Sequence, residues 1–116
     1  MWILLNNCFF SIVAKDCAKD ELLVRARLRH DIRKVFPRAK VSSDLAADYR
    51  FRAKIKKSVI KAALAREVDR VTYRNFKDSV RDNRLHDAYL RVWVALAGLQ
   101  RPSWLDRLSG RYFGAA

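Results

Sequence analysis

The chain is predicted to be an α+β protein: a small antiparallel sheet of three to four strands with helices packed on one face. Three observations predict this. First, two segments alternate apolar and cationic residues with the period of a strand. Val24, Ala26 and Leu28 alternate with Arg25, Arg27 and Arg29, and Tyr49, Phe51, Ala53 and Ile55 alternate with Arg50, Arg52, Lys54 and Lys56. Second, later segments space their apolar residues three and four apart, the period of a half-buried helix. Third, 116 residues with 51% hydrophobic content suffice for one domain with a single core.

Phe9 to Ala14 reads as a buried strand. Trp2 to Leu5 can pair with it through Asn6–Asn7, because asparagine tolerates left-handed turn geometry. Lys15 to Glu21 is polar and forms a turn. The first basic strand spans Leu22 to Leu28. A short helix from about Arg29 to Phe36 follows, with Leu28, Ile32, Val35 and Phe36 at helical spacing, and Pro37 ends it. Lys40 to Ser43 is a brief strand, Asp44 to Asp48 a turn, and Tyr49 to Ile55 the second basic strand. Ser58 is the expected N-cap of the next helix, which carries Val59, Ile60, Ala63, Leu64, Val68 and Val71. The β-branched residues Val71 and Thr72 weaken its end. Asn75 with Asp78 resembles the capping signal of a short helix over Phe76 to Asp82. Leu85 to Leu99 is the clearest helix, with Leu85, Tyr89, Val92, Trp93, Leu96 and Leu99 in one stripe. Gly98 and Pro102 mark its end. The expected organisation is one domain over residues 1–100 and a tail over 101–116, with one turn of helix near Ser103, Trp104 and Leu108.

Charge narrows the partners. Twenty-five Lys and Arg against 12 Asp and Glu give a net charge of +13. A small domain carries a magnitude of roughly 2–8, so the compact state repels itself unless a polyanion neutralises it. Nucleic acid is the foremost such partner, ahead of an anionic membrane surface or an acidic protein. Residues 50–61, RFRAKIKKSVIK, hold six cations and no carboxylate.

The apolar start, MWILLNNCFFSIVA, lacks a basic leader and is split by Asn6–Asn7. It falls short of the roughly 18 apolar residues of a spanning helix, so a core strand is expected and no membrane association. Cys8 and Cys17 make neither a disulfide framework nor a metal site. Cys8 reads as a core residue, and the chain as cytoplasmic and reduced.

Five motifs in order are FFSIV (Phe9 to Val13), LLVRARLRHDI (Leu22 to Ile32), DYRFRAKI (Asp48 to Ile55), YRNFKDSV (Tyr73 to Val80) and AYLRVWVAL (Ala88 to Leu96). Together, across most of residues 2 to 99, they resemble a widespread group of small bacterial proteins of unassigned function. The resemblance implies a self-contained bacterial or phage-derived domain and no particular activity. The chain departs from that group in a shorter Arg33 to Ala47 stretch without glycine. It also departs in the added charge of Lys54, Lys56, Lys57 and Lys61.

If the two basic strands are neighbours, Arg25, Arg27, Arg29, Arg50, Arg52, Lys54 and Lys56 crowd one surface. Like charges directly opposite each other destabilise a sheet, and neither run supplies a carboxylate. The plainer alternative is two separate solvated edges. Lys56, Lys57 and Lys61 stand at the start of the following helix, with Glu67 and Asp69 near its end. The helix dipole prefers the reverse, by about 0.3–1 kcal/mol per charge, and helix N-termini attract anions. The stripe Arg66, Arg70, Arg74, Lys77, Arg81 and Arg84 alternates with acids. It reads as a solvated face paired through Glu67–Arg70, Arg74–Asp78 and Asp78–Arg81. Tyr49, Phe51, Tyr89 and Trp93 are expected in the core, which leaves Tyr73, Tyr112 and Phe113 for base stacking.

Catalytic signals are weak. His30 and His86 stand alone, the carboxylates are scattered without metal-ligand spacing, and all three glycines follow residue 97. No enzyme activity, metal or cofactor is expected. The expected function is binding of RNA or DNA through the phosphate backbone, either alone or within a nucleoprotein complex that includes a protein partner. The nine binding residues are Arg25, Arg27, Arg29, Arg50, Arg52, Lys54, Lys56, Lys57 and Lys61. The alternative is a non-catalytic interaction subunit or phage-type regulator, presenting Trp2, Trp104, Tyr112 and Phe113 to a protein; a nuclease or other hydrolase comes last.

Overall fold

A computed structural model describes residues 1–100. Its elements are β1 (Trp2–Leu4), β2 (Phe9–Val13), β3 (Glu21–Ala26), α1 (Asp31–Val35), β4 (Ser42–Ser43), β5 (Phe51–Lys56), α2 (Lys57–Asp69), α3 (Phe76–Ser79) and α4 (Asn83–Ala97). Two compact units are present, one from Met1 to Arg81 and a second that begins at Asp82. The class is α+β, as expected. The sheet has five antiparallel strands in the order β1-β2-β3-β5-β4. The count exceeds three to four because both short candidates, β1 and β4, join the sheet.

The β1–β2 hairpin closes through Asn6–Asn7, with the Leu5 N–H donating to the Cys8 carbonyl at 2.9 Å. Strand alternation then sorts the side chains. Phe10 and Ile12 of β2, Val24 and Ala26 of β3, and Phe51, Ala53 and Ile55 of β5 line one face. Ile32, Val35 and Phe36 from α1 and its C-terminus, and Ile60 and Ala63 from α2, complete this core. Each large side chain so buried contributes about 1.5–3 kcal/mol of transfer free energy. Cys8 is fully buried there, as its apolar setting predicts.

Asp31 is a buried carboxylate in the first turn of α1. Its Oδ2 accepts from the Phe9 N–H at 3.2 Å, and its Oδ1 lies 3.5 Å from the Lys34 ammonium. It thereby ties α1 to the start of β2.

Several local expectations are corrected. The strands are displaced from Leu22–Leu28 and Tyr49–Ile55, so Arg27, Arg29 and Arg50 lie just outside them. Ser58 is not the N-cap of α2. β5 runs directly into the helix, which makes Lys56 the cap residue, with extended backbone and no side-chain cap bond. α1 is shorter than expected, and Leu28 is exposed. On α2, Val59 and Val68 are exposed while Ile60 and Ala63 are buried, so its buried stripe is narrow, and Val71, expected on this helix, lies beyond its end at Asp69 and is exposed. Asn75 does cap α3, accepting from the Asp78 N–H at 3.2 Å.

In the second unit, Asp82 caps α4 by accepting from the Leu85 N–H at 2.9 Å, and Gly98 is its C-cap. Within the expected stripe Tyr89 is buried, but Trp93, Leu96 and Leu99 are exposed. The expected turn near Ser103 lies outside the described residues.

Candidate nucleic-acid interface

The two basic strands are neighbours. In the β3–β5 register Arg25 stands opposite Arg52, Leu23 opposite Lys54, and Glu21 opposite Lys56. Main-chain bonds give the direction of each β5 residue. The Arg50 carbonyl accepts from the Asp44 N–H at 2.8 Å, and the Arg52 carbonyl accepts from Ser42 Oγ at 3.3 Å. The Lys57 N–H instead donates to the Asp20 carbonyl at 2.8 Å. Even-numbered residues of β5 therefore turn their main chain toward β4, and odd-numbered ones toward β3. Arg25 and Arg52 form a non-hydrogen-bonded pair, the kind in which facing side chains come closest, with Cα atoms about 4.5 Å apart. Two guanidinium-bearing residues thus share the tightest cross-strand position. Both Nε atoms are buried without a hydrogen-bond partner among the described residues.

Arg25 is held on its other side. Its Nη2 donates to Ser11 Oγ at 2.9 Å, across from it on β2. Its guanidinium lies over the Tyr49 ring, 4.6 Å from the centroid, and that of Arg27 lies over the same ring at 4.4 Å. Arg27 Nη1 also donates to the Asp48 carbonyl at 3.0 Å. Tyr49 meets Phe9 with centroids 6.4 Å apart, and Phe9 meets Trp2 edge-on at 6.1 Å. Phe9 and Ser11 share one face of β2, the face opposite Phe10 and Ile12. Tyr49 is therefore buried, as expected, but on the basic face and not beside Phe51. The reason is that β5 begins only at Phe51, and the bend over residues 47–49 breaks the alternation before Tyr49.

The remaining predicted residues divide. Lys54 and Lys56 share the face of Arg52 by parity and are exposed. Lys57 and Lys61, on the first turns of α2, are exposed, and that first turn holds no acid. Arg29 and Arg50 gather at Phe51, with guanidinium-to-centroid distances of 5.5 and 5.3 Å, at the end of the strand pair. Arg50 Nε also donates to Ser43 Oγ at 3.3 Å. One expectation about the runs is corrected: β3 starts at Glu21, so a carboxylate does face Lys56 across the sheet. Glu21 Oε1 is engaged by the Ala18 N–H at 3.1 Å. Among the described residues no ion pair involves any of the nine predicted cations.

Sequence reasoning missed one feature. Beside the outer edge of β5 lies a cleft of about 420 Å3. Arg38, Lys40, Lys54, Lys56 and Arg66 line it together with Val35, Phe36, Ile55 and Val59, and no carboxylate does. A second cleft of about 330 Å3, lined by Leu23, Ser42, Arg52 and Asp16, shares Lys40 and Lys54 with the first. Cations thus continue from the Arg52 face around the sheet edge. The alternation of Arg38 and Lys40 after Pro37 was the available signal. Arg66 carried none, since its neighbours on α2 placed it in an ion-paired stripe.

In that stripe Glu67–Arg70 does pair, at 3.2 Å. Arg74–Asp78 and Asp78–Arg81 do not pair among the described residues. Tyr73 is half-buried against Phe76, with centroids 5.8 Å apart. Trp104, Tyr112 and Phe113 lie outside the described residues. His30 takes the N-cap position of α1 without a side-chain cap bond, and among the described residues the His86 ring reaches its neighbour Asp87, at 4.0 Å. No cluster of three metal-ligating side chains occurs among the described residues. No helix among them is long and apolar enough to cross a membrane. No protein family, curated protein or solved structure matches the chain.

Proposed function

We propose that the protein binds nucleic acid through its phosphate backbone. The contacting residues are Arg25, Arg27, Arg29, Arg50, Arg52, Lys54, Lys56, Lys57 and Lys61. The observation that carries the reading is the direct opposition of Arg25 and Arg52 on neighbouring strands. An opposed like-charge pair destabilises the free protein, and a bridging phosphate converts that cost into affinity. The lysines extend the positive surface, and no carboxylate ion pair among the described residues neutralises it. Guanidiniums supply forked donors suited to phosphate. No catalytic step is assigned. Cys8 and Cys17, neither joined in a disulfide, support a reducing, cytoplasmic setting.

The test is the salt dependence of binding to an oligonucleotide. With about six phosphate contacts, affinity falls roughly 10³-fold between 50 and 200 mM salt. Replacing exposed Lys54, Lys56, Lys57 and Lys61 by Ala flattens the slope on duplex DNA by about 0.9 for each phosphate that is no longer neutralised. The circular dichroism spectrum stays unchanged. A wild-type slope near zero, or a quadruple variant that binds like wild type, rejects this surface.

A second reading adds a protein partner in a nucleoprotein complex. It rests on Trp2, which is 67% exposed on the edge strand β1. Co-purification of a stoichiometric protein that survives nuclease treatment and is lost in Trp2→Ala tests it.

A further inference from the structure

Phosphate binding alone needs only charge. The cleft beside β5 offers more. Its cations Arg38, Lys40, Lys54, Lys56 and Arg66 surround apolar side chains that include Val35, Ile55 and Val59. The outward main chain of Lys54 also opens there, because β4 pairs with β5 only at Phe51 and Arg52. By parity the Lys54 N–H and C=O point away from β3, and no main-chain partner for them is present among the described residues.

We infer that this cleft receives an unpaired base, which makes the ligand a single strand. The inference rests on the nucleic-acid reading above and specifies its ligand. A duplex buries its base faces and presents phosphates outward, so it can use the cationic rim but not the apolar floor. A single strand uses both: its phosphates follow Arg52, Lys54 and Lys40 around the sheet edge, and a base turns inward over Val59 and Ile55. The free Lys54 N–H and C=O then meet polar atoms of the base edge. A volume of about 420 Å3 is ample for one base with part of its sugar. Three residues outside the nine, Arg38, Lys40 and Arg66, gain a role, as the second bank of the channel.

The experiment measures fluorescence anisotropy of the full chain with a mixed-sequence single strand of about 12 nucleotides, within the usual site-size range, and with the corresponding duplex. Salt is held fixed, and the series is run for DNA and for RNA. The expected result is single-strand binding tighter than duplex by about tenfold or more, the scale of burying roughly two methylene-sized apolar contacts. Val59 is 46% exposed, so Val59→Gln leaves the fold intact. It brings single-strand affinity down to the duplex level and leaves duplex affinity unchanged. The combined Arg38→Ala, Lys40→Ala and Arg66→Ala variant lowers single-strand affinity by a larger factor than duplex affinity.

Equal, salt-dependent affinity for both ligands overturns the cleft assignment while the backbone-binding function stands. No binding to either overturns both. An acidic peptide of matched charge that displaces the single strand at equal concentration overturns the cleft assignment by showing that binding there does not need a base.

Discussion

Arg25 of β3 and Arg52 of β5 face each other at a non-hydrogen-bonded position of the sheet, each with a buried Nε that has no acceptor among the described residues. A buried unpaired donor costs about 1–3 kcal/mol, and directly opposed like charges add a few tenths or more. Arg25 is partly compensated by Ser11 and by the Tyr49 ring. Arg52 has no side-chain hydrogen bond or ring contact among the described residues. The cost of the pair therefore falls mainly on Arg52.

Replacing Arg52 by Met keeps an unbranched stem and removes the charge and the orphan donor. Arg52→Met is expected to stabilise the protein by about 0.5–2 kcal/mol, read as a higher urea midpoint at unchanged slope, while oligonucleotide affinity falls. Opposite movement of the two measurements is the signature of a surface held at a cost for a ligand. If the variant is less stable, the Arg52 head group stabilises the free protein and the argument from opposition fails.

Tyr49 gathers Arg25, Arg27 and Phe9. No hydrogen bond of its hydroxyl is present among the described residues, so the ring is what matters. Tyr49→Phe is expected to shift stability by less than about 0.5 kcal/mol. Tyr49→Leu keeps an apolar filler but removes the π face from two guanidiniums, at about 0.5–1 kcal/mol each, and is expected to cost about 1–2 kcal/mol. Equal stability of the Phe and Leu variants in urea unfolding would show that the ring serves only to fill space.

The relation between these residues is half legible in the chain. Strand parity is a local property, so VRAR and RFRAKIK disclose which side chains share a face before any pairing is known. Pairing is not local. That β5 and not β4 lies beside β3, with Arg52 across from Arg25, depends on a connection through α1 and β4 that no alternation encodes. Alternation carried through a bend misplaces Tyr49, because chain direction and not parity aims the ring there. Ser58 misleads as a cap because a strand that enters a helix directly needs no polar residue to turn the chain. The cleft is illegible for a related reason: Arg38, Lys54 and Arg66 come from three elements, and sequence spacing says nothing of their approach.

Asp31 is equally silent in the sequence, since a carboxylate one residue from a histidine looks like surface. It is 3% exposed and accepts from the Phe9 N–H. Asp31→Ala strands that part-buried donor and leaves the Lys34 ammonium with the Asn7 carbonyl alone, at an expected cost of about 1–3 kcal/mol. Asp31→Asn keeps an acceptor and should recover part of the loss. Amide exchange at Phe9 gives the local readout: it accelerates strongly in the Ala variant and less in the Asn variant. Unchanged protection at Phe9 would rule out the Asp31 bond as the tie between α1 and β2.

Cys8 gives the chain an alkaline limit. Burial in the core, chiefly, pushes its thiol up from 9.0 to about 12, with the Asp31 and Glu67 carboxylates adding to the shift and Lys34 opposing it. In the unfolded chain the thiol ionises near its ordinary value, while in the folded chain it stays protonated. Below pH 9 both states hold the proton, and the contribution to stability is fully present. Between about 9 and 12 only the folded state holds it, so stability falls as pH rises, by up to about 1.4 kcal/mol per pH unit. Cys8→Ala removes this term and substitutes a pH-independent cavity cost. The stability gap between wild type and Cys8→Ala, measured by urea unfolding, should therefore be constant up to pH 9 and narrow steadily above it. Other titrating groups act on both proteins alike and cancel in the difference. A gap that stays constant to about pH 11 would mean that Cys8 ionises inside the folded core as readily as outside it, which its complete burial argues against. In the native protein near neutral pH, half-buried Cys17 should accept a thiol reagent before Cys8 does, with Cys8 labelled only at the rate of unfolding.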